Sequence, residues 1–219
     1  MPPRRPEATP KDIAEAFGVS RESLDRLKAY VALLSQWQGR INLIGPASPA
    51  EIWTRHVADS LQLLPLIGRK AGRLVDLGSG AGFPGLVLAI VLSGEAGNTI
   101  QLIESNGKKV AFLRQAARIT NSSARIHQGR IEQMGAETVG GVADIITARA
   151  LARLDTLVAM AAPFAGPHTR ALFHKGQDVD RELTETTKSW RIDATKHPSR
   201  VDPSGCIVEI RGFEGAKRN

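Results

Sequence analysis

"RLVDLGSGAGFPG", residues 73–85, sets a short apolar run directly against four glycines and a proline. Glycine inside regular structure costs roughly 0.5–1 kcal/mol relative to alanine, so such a cluster serves an unusual backbone angle or a close approach. With "FPGLVLAIVL" behind it, the stretch reads as strand, tight loop and helix. A turn needs one or two glycines, whereas Gly78, Gly80, Gly82 and Gly85 together point to a ligand brought against the main chain. In open parallel sheets that ligand sits at the carboxyl ends of the strands.

Working outward, short apolar runs recur at "RLVDL", "IQLIE", "ARIHQ", "ADIIT" and "RALFH", separated by helical segments such as "KKVAFLRQAARI". This alternation predicts an α/β fold: a Rossmann-like, doubly wound, mostly parallel sheet with helices on both faces. "CIVEIRGF" adds a last strand whose direction is open. Before Arg73 the chain reads helical. Thr9 caps a first helix with Pro10 at its first position, and Gly18 stops it. After Ser20, Leu24, Leu27, Val31, Leu34, Trp37 and Ile41 form one stripe at steps of three and four. "SPAE" at 48–51 is a capping box opening a third helix that carries Ile52, Trp53, His56 and Leu61. The division is a helical N-terminal cap over residues 1–72, whose first residues form a floppy tail, and a sheet domain over 73–219.

The chain has 219 residues and a net charge of +7. That excess suits a polyanionic partner, since neutralised phosphates release condensed counterions, although a merely solvated basic surface has the same composition. "MPPRRPEATP" has no apolar core behind it and is not a secretory signal. The most apolar run, near Leu86–Leu92, is too short to cross a bilayer. The single cysteine, Cys206, excludes an internal disulfide and a cysteine-built zinc site. A cytoplasmic protein with no membrane partner and no metal is expected.

Two cofactor classes compete for the glycines. Gly80, Gly82 and Gly85 satisfy the dinucleotide pattern G-x-G-x-x-G, with Glu104 near the place of a ribose-binding acid. That frame starts two residues late, however, because the strand already ends at Asp76. The frame abutting it, Asp76-x-Gly78-x-Gly80-x-Gly82, resembles the first motif of class I S-adenosylmethionine-dependent methyltransferases. In that resemblance the glycines let the backbone approach the cofactor, and Glu104 receives the ribose hydroxyls through charge-assisted hydrogen bonds.

The acceptor is narrowed by what is missing. Methylating a pyrimidine carbon needs a cysteine nucleophile, and Cys206 lies far along the chain, on the last strand, where it reads as a small core residue. Methylation of exocyclic amines goes with a [DN]-P-P-aromatic motif after the fourth strand, where this chain has "ITARALARL". A site without nucleophile or base suits N7 of guanine, an exposed lone pair with no proton to remove. Arg149 and Lys175, at the ends of the fourth and fifth strands, are then positioning residues directed at phosphate or at guanine O6, and no general base is expected. The competing role for both is pairing with nearby carboxylates.

With these residues in view, the chain resembles the RsmG (GidB) family of small-subunit ribosomal RNA methyltransferases. "WQGRINLIG", "RHVADSLQLLP", "DLGSGAGFPGLVLAI", "ESNGKKVAFLR", "ITARALARL" and "FHKGQ" match its segments in order over most of the chain. The resemblance implies the class I methyltransferase fold, S-adenosyl-L-methionine as cofactor, and methylation at N7 of guanine 527 in 16S rRNA. The partner is then the small ribosomal subunit or its assembly intermediate, and the protein a monomer. Carried over, cofactor contacts fall on Asp76, Gly78, Gly80, Gly82, Phe83, Glu104, Ile131, Glu132 and Arg149. On the RNA side stand Lys108, Lys109 and Arg114, with Arg149, Lys175, His56 and Asp59. For His56 and Asp59, packing of the cap is the competing role. "AGPHTR" at 165–170 lacks the family's P-G-G turn. Three other functions stay open at this point: a small-molecule methyltransferase, an NAD(P)-binding oxidoreductase, and a cofactor-sensing RNA-binding protein without catalysis.

Overall fold

The computed structural model of the chain describes residues 8–215; most of the tail expected in "MPPRRPEATP" lies outside them. Thr9 opens α1 (Pro10–Ala16), its hydroxyl accepting from the Asp12 amide while the Asp12 carboxylate accepts from the Thr9 amide. Ser20 opens α2 (Arg21–Gln38), which buries Leu24, Leu27, Tyr30, Val31, Leu33 and Leu34 along one side. Ile41 does not belong to this helix, which ends at Gln38; it packs half-buried on the same core from the following loop.

The Ser48–Glu51 capping box opens α3 (Pro49–Ile52). The chain continues without a break through a π-helical stretch (Trp53–Val57) into α4 (Ala58–Leu61), and α5 (Leu64–Ile67) follows. A π-helical insertion re-phases the side chains beyond it and is frequent at functional sites. Here it contains Arg55 and His56, with Asp59 one turn on.

Among the described residues, seven strands build one sheet: β1 (Arg73–Leu77), β2 (Thr99–Glu104), β3 (Arg125–Gln128), β4 (Ala143–Arg149), β5 (Ala165–Lys175), β6 (Trp190–Pro198) and β7 (Cys206–Gly215). Their order is β3-β2-β1-β4-β5-β7-β6. The first five run parallel, and β7 inserts antiparallel to both β5 and β6. The direction left open by "CIVEIRGF" is thus antiparallel. Strand β6 was not anticipated, because "WRIDATKHP" is largely exposed and contains no apolar run. "AGPHTR" forms the first half of β5 itself, where Thr169 accepts from the Gly166 amide at 2.7 Å and donates to the Ala143 carbonyl beside the register shift against β4.

The helices cover both faces. On one, the cap packs with α6 (Gly85–Val91) and α7 (Gly107–Ile119) around Leu27, Leu34, Leu61, Leu74, Leu86 and Phe112. On the other, α8 (Leu154–Ala161) and α9 (Val179–Thr186) close over Val75, Ile146, Leu157, Phe164 and Phe173. Residues of the cap and the sheet share the first core, and the fully buried Tyr30 donates its hydroxyl to the Ala81 carbonyl at 2.7 Å inside the glycine loop. Strand order reverses between β1 and β4, so the loops leaving their carboxyl ends flank the crevice where such sheets bind ligands.

Candidate active site

The loop after β1 turns on glycines in the left-handed region: Gly78 at φ +65°, Gly80 at +57°. Their surroundings differ. A Cβ on Gly78 would meet a Leu151 methyl at 2.6 Å, whereas at Gly80 the nearest atom is the Gly78 carbonyl oxygen at 3.8 Å. Gly78 is therefore pressed against the β4 loop, and Gly80 presents bare main chain to open space. Gly85 serves neither purpose; its α-carbon lies so close to Asp76 that a Cβ would stand 2.5 Å from the carboxylate.

Asp76 differs from the cofactor contact expected of it. Its side chain is wholly buried, with Oδ1 accepting from the Thr147 hydroxyl at 2.7 Å, beneath the loop rather than in its mouth. Burial pushes its pKa up to about 6, against the pull of its hydrogen bonds. Glu104, at the end of β2, accepts from the Gly80 amide at 2.9 Å and from the Asn106 amide at 2.8 Å, one on each oxygen. An ionised carboxylate offers about four acceptor sites, so two remain for hydroxyl donors. Ile131 and Glu132 open a 3₁₀ turn after β3, Ile131 buried in the core and Glu132 exposed. Phe83 is 5% exposed; its ring stacks on His56 at 5.0 Å and packs against Tyr30.

Arg149, ending β4, is turned onto the helical cap. Its guanidinium donates to the Asp59 carboxylate at 3.0 Å, the Arg55 carbonyl at 3.1 Å and His56 Nδ1 at 2.8 Å, and lies 5.2 Å over the Phe83 ring. All three hydrogen-bond partners come from the re-phased helix of the cap. Burial, then the neighbouring Arg149, holds His56 down to a pKa of about 4, so it is neutral and its Nδ1 lone pair is already occupied. Lys175 is likewise committed: its ammonium pairs with Glu182 at 2.6 Å and donates to the Ala152 carbonyl. Of the two roles weighed for these strand-end cations, the paired one is what the side chains adopt.

Beside them opens a cavity of about 390 Å³, whose wall includes Asp59, Arg149, Lys175, Asp178, Glu182 and Asp202. Cys206 also lines it, because the antiparallel pairing of β5 with β7 sets it against Lys175. Its expected remoteness from the site is thus corrected, since strand order overrides distance along the chain, although it also packs half-buried against the second core. Burial raises the thiol pKa, which keeps it protonated. Lys108 and Arg114 are exposed and Lys109 half-buried on α7, whose first turn follows Glu104.

Several site residues had no signal of their own. His174 donates from Nε2 to the Asp59 carbonyl and is kept neutral by burial. Gln62 donates to Asp59 Oδ1 at 2.6 Å and accepts from Ser199 and the Arg200 amide, tying the β6–β7 hairpin to the cap. His174 lies in "FHKGQ" and Gln62 in "RHVADSLQLLP", so membership of those segments was the only hint.

The model of one protein family, described as GidB, rRNA small subunit methyltransferase G, matches residues 23–203. A protein of Parvibaculum lavamentivorans named ribosomal RNA small subunit methyltransferase G is 48% identical over 90% of this chain and 86% of its own. One of that name from Rhodopseudomonas palustris is 50% identical over 90% of this chain and 83% of its own. Among solved structures, a SAH-bound methyltransferase of Podospora anserina shares the fold, with TM-score 0.58 at 16% identity over 88% of this chain and 96% of that one. The length of the family match and the level of identity together show that the chain belongs to the GidB family, the rRNA small subunit methyltransferase G proteins.

Proposed function

We propose that this chain transfers the methyl group of S-adenosyl-L-methionine to N7 of guanine 527 in 16S rRNA, within the small subunit or an assembly intermediate. One observation supports the acceptor above others: the groups at the strand ends are already neutralised. Arg149 is paired with Asp59, Lys175 with Glu182, and His56 is uncharged with its lone pair taken. N7 needs no base and no nucleophilic residue, because it attacks through a lone pair and has no proton to lose, so positioning supplies the acceleration. The methylated ring is cationic. A cavity whose cations are paired, and whose wall adds Asp178 and Asp202, does not repel it.

When bound, the cofactor supplies an electrophilic methyl on a positively charged sulfur. Gly80's open side and the spare acceptor sites of Glu104 fit such a group. In this reading Gly80 admits the cofactor to the main chain, Gly78 and Gly82 let the loop pack against Leu151 and Leu86 beneath it, Glu104 takes the ribose hydroxyls, and Ile131 and Glu132 frame the adenine. Asp76 holds the loop from below, while Phe83 and Arg149 brace its outer side. The RNA side comprises the cavity beside Lys175 and the cations Lys108, Lys109 and Arg114. His56 and Asp59 act there through Arg149, by holding the cap over the crevice. We also read residues 1–72 as a cap unit and 73–219 as the catalytic unit, in a monomer acting in the cytoplasm where subunits assemble. No helix among the described residues is long and apolar enough to cross a membrane.

The test is incubation with labelled S-adenosylmethionine and small subunits from cells lacking the activity, followed by mapping of the labelled nucleotide. Label at N7 of one guanine supports cofactor, acceptor and substrate together. No label on any RNA, with measurable cofactor binding, overturns the acceptor and leaves the cofactor site standing.

A further inference from the structure

Positive charge is not spread evenly over this chain. Between Glu104 and Glu132 the sequence carries six cations, Lys108, Lys109, Arg114, Arg118, Arg125 and Arg130, and no acid. The other 23 of the 29 cations stand against 22 acids, so nearly all of the net +7 resides in this one segment. None of the six has an ion-pair partner among the described residues. Elsewhere many exposed cations sit against carboxylates, as Arg26 with Glu22, Lys28 with Asp25, Lys188 with Glu185 and Lys196 with Asp180, and the unpaired ones among the described residues, Arg21, Arg40, Lys70, Arg191 and Arg200, are scattered along the chain.

The fold gathers these charges. In α7 the buried side is taken by Val110, Phe112, Leu113, Ala116 and Ala117, which leaves Lys108, Arg114 and Arg118 on the exposed side. Arg114 and Arg118 are one turn apart, a like-charged pair that disfavours an isolated helix. Strand β3 is the free edge of the sheet, beside α7, and bears Arg125 at its start. At the carboxyl end, a Cβ on Gly107 would touch Gln128 at 3.3 Å, and the Gly129 amide donates to the Glu104 carbonyl. Lys108, Lys109 and Arg130 therefore converge on the rim beside Glu104, on the opposite side of the β1–β4 crevice from the cavity at Lys175.

We infer that the α7–β3 edge is a second RNA-contacting surface, on which Arg114, Arg118, Arg125 and Arg130 hold backbone phosphates of the same substrate whose target base enters beside Lys175. This rests on the proposed rRNA substrate. Cations without carboxylate partners bind phosphate without reading sequence, and so fix where the strand lies rather than which base is chosen. The surface spans the sheet edge and continues to the rim, which gives a long RNA one continuous basic path into the crevice.

The test compares the full chain with R114Q/R118Q/R125Q and with a control, K28Q/K188Q, that removes two paired cations. Binding to a 16S rRNA transcript is measured across a salt series, alongside cofactor binding and methyl transfer to small subunits. Each lost phosphate contact reduces the slope of log K against log salt by about 0.7–0.9, so the triple variant is expected to be shallower by about 2. Cofactor affinity and the control's slope stay at the parental values. An unchanged slope in the triple variant overturns the inference. So does an unchanged RNA slope with lost binding to phosphatidylglycerol vesicles, which assigns the surface to lipid. A parent that binds RNA with the expected slope but methylates none fails the proposed function alone, since the surface is read from binding.

Discussion

Arg149 on β4 and Asp59 on the cap lie 3.0 Å apart, each side chain 17% exposed, and this one pair ties the helical N-terminus to the strand end where chemistry is expected. Because Arg149 is also held by His56 and the Arg55 carbonyl, removing Asp59 strands a mostly buried guanidinium rather than freeing it. Asp59→Ala is expected to lower the unfolding free energy by about 3–5 kcal/mol, the range for breaking a buried pair. Asp59→Asn, which keeps an acceptor, loses less. Denaturant titration of both variants checks this; equal stability of parent and Asp59→Ala would show the pair to be ornamental.

The two glycines of the loop separate stability from binding. At Gly80 an added methyl meets open space, so Gly80→Ala is expected to cost only the left-handed backbone strain, roughly 1–2 kcal/mol. Its cofactor affinity should drop more than about tenfold, because the methyl occupies the approach to the main chain. Gly78→Ala adds the collision with Leu151 and should unfold at clearly lower denaturant. Calorimetric titration with S-adenosylmethionine, beside the melts, distinguishes the two patterns.

Glu104 organises the loop and, in the proposed reading, meets the ribose. Glu104→Gln keeps the shape but loses the charge on two amide hydrogen bonds. Charge-assisted bonds contribute about 1.5–3 kcal/mol, so cofactor affinity should fall about tenfold to a hundredfold. An unaltered dissociation constant would remove Glu104 from the cofactor site.

His56 predicts an acid limit to stability. The unfolded chain takes up this proton near pH 6.5 and the native state not until about 4, so stability is full above 6.5 and lost as pH falls through that window. Allowing for the ring's partial exposure, the loss is about 2 kcal/mol. Asp76, with its pKa raised to about 6, works in the opposite sense in the same range, since the folded state binds that proton first. His56→Gln retains the Asp76 contribution and loses the opposing one, so its stability at pH 4 relative to pH 7 should exceed the parent's by about 2 kcal/mol; identical profiles would contradict the assignment.

Cys206 lies in the cavity wall with its thiol protonated, and N7 methylation has no use for it. Cys206→Ser is expected to keep the parental kcat on small subunits. Loss of turnover, with a covalent RNA adduct in the parent, would instead indicate attack on a pyrimidine carbon.

The fold and the glycine loop were legible because both are local. The alternation of apolar runs with helical segments, the capping pairs at Thr9 and Ser48, and the glycine spacing after Asp76 are properties of contiguous residues. Strand β6 escaped notice for the converse reason: as an edge strand it buries little and leaves no apolar pattern. The roles of the polar residues were not legible. Arg149 and Lys175 read alike in sequence, as cations ending strands, and only the folded chain supplies Asp59 from 90 residues away and Glu182 from α9.

What the sequence determined by itself is the strand, glycine loop and helix at 73–91, the helical character of the N-terminus, and a net charge packed into 24 residues, Gly107–Arg130, around α7. What tertiary structure decided is which charges are spent. Burial makes an unpaired charge expensive, so each strand-end cation takes the carboxylate the fold brings nearest, and the chain order of residues says nothing about which that is. The antiparallel insertion of β7 placed Cys206 against Lys175 by the same logic, since hydrogen bonding between strands joins positions that the sequence holds apart.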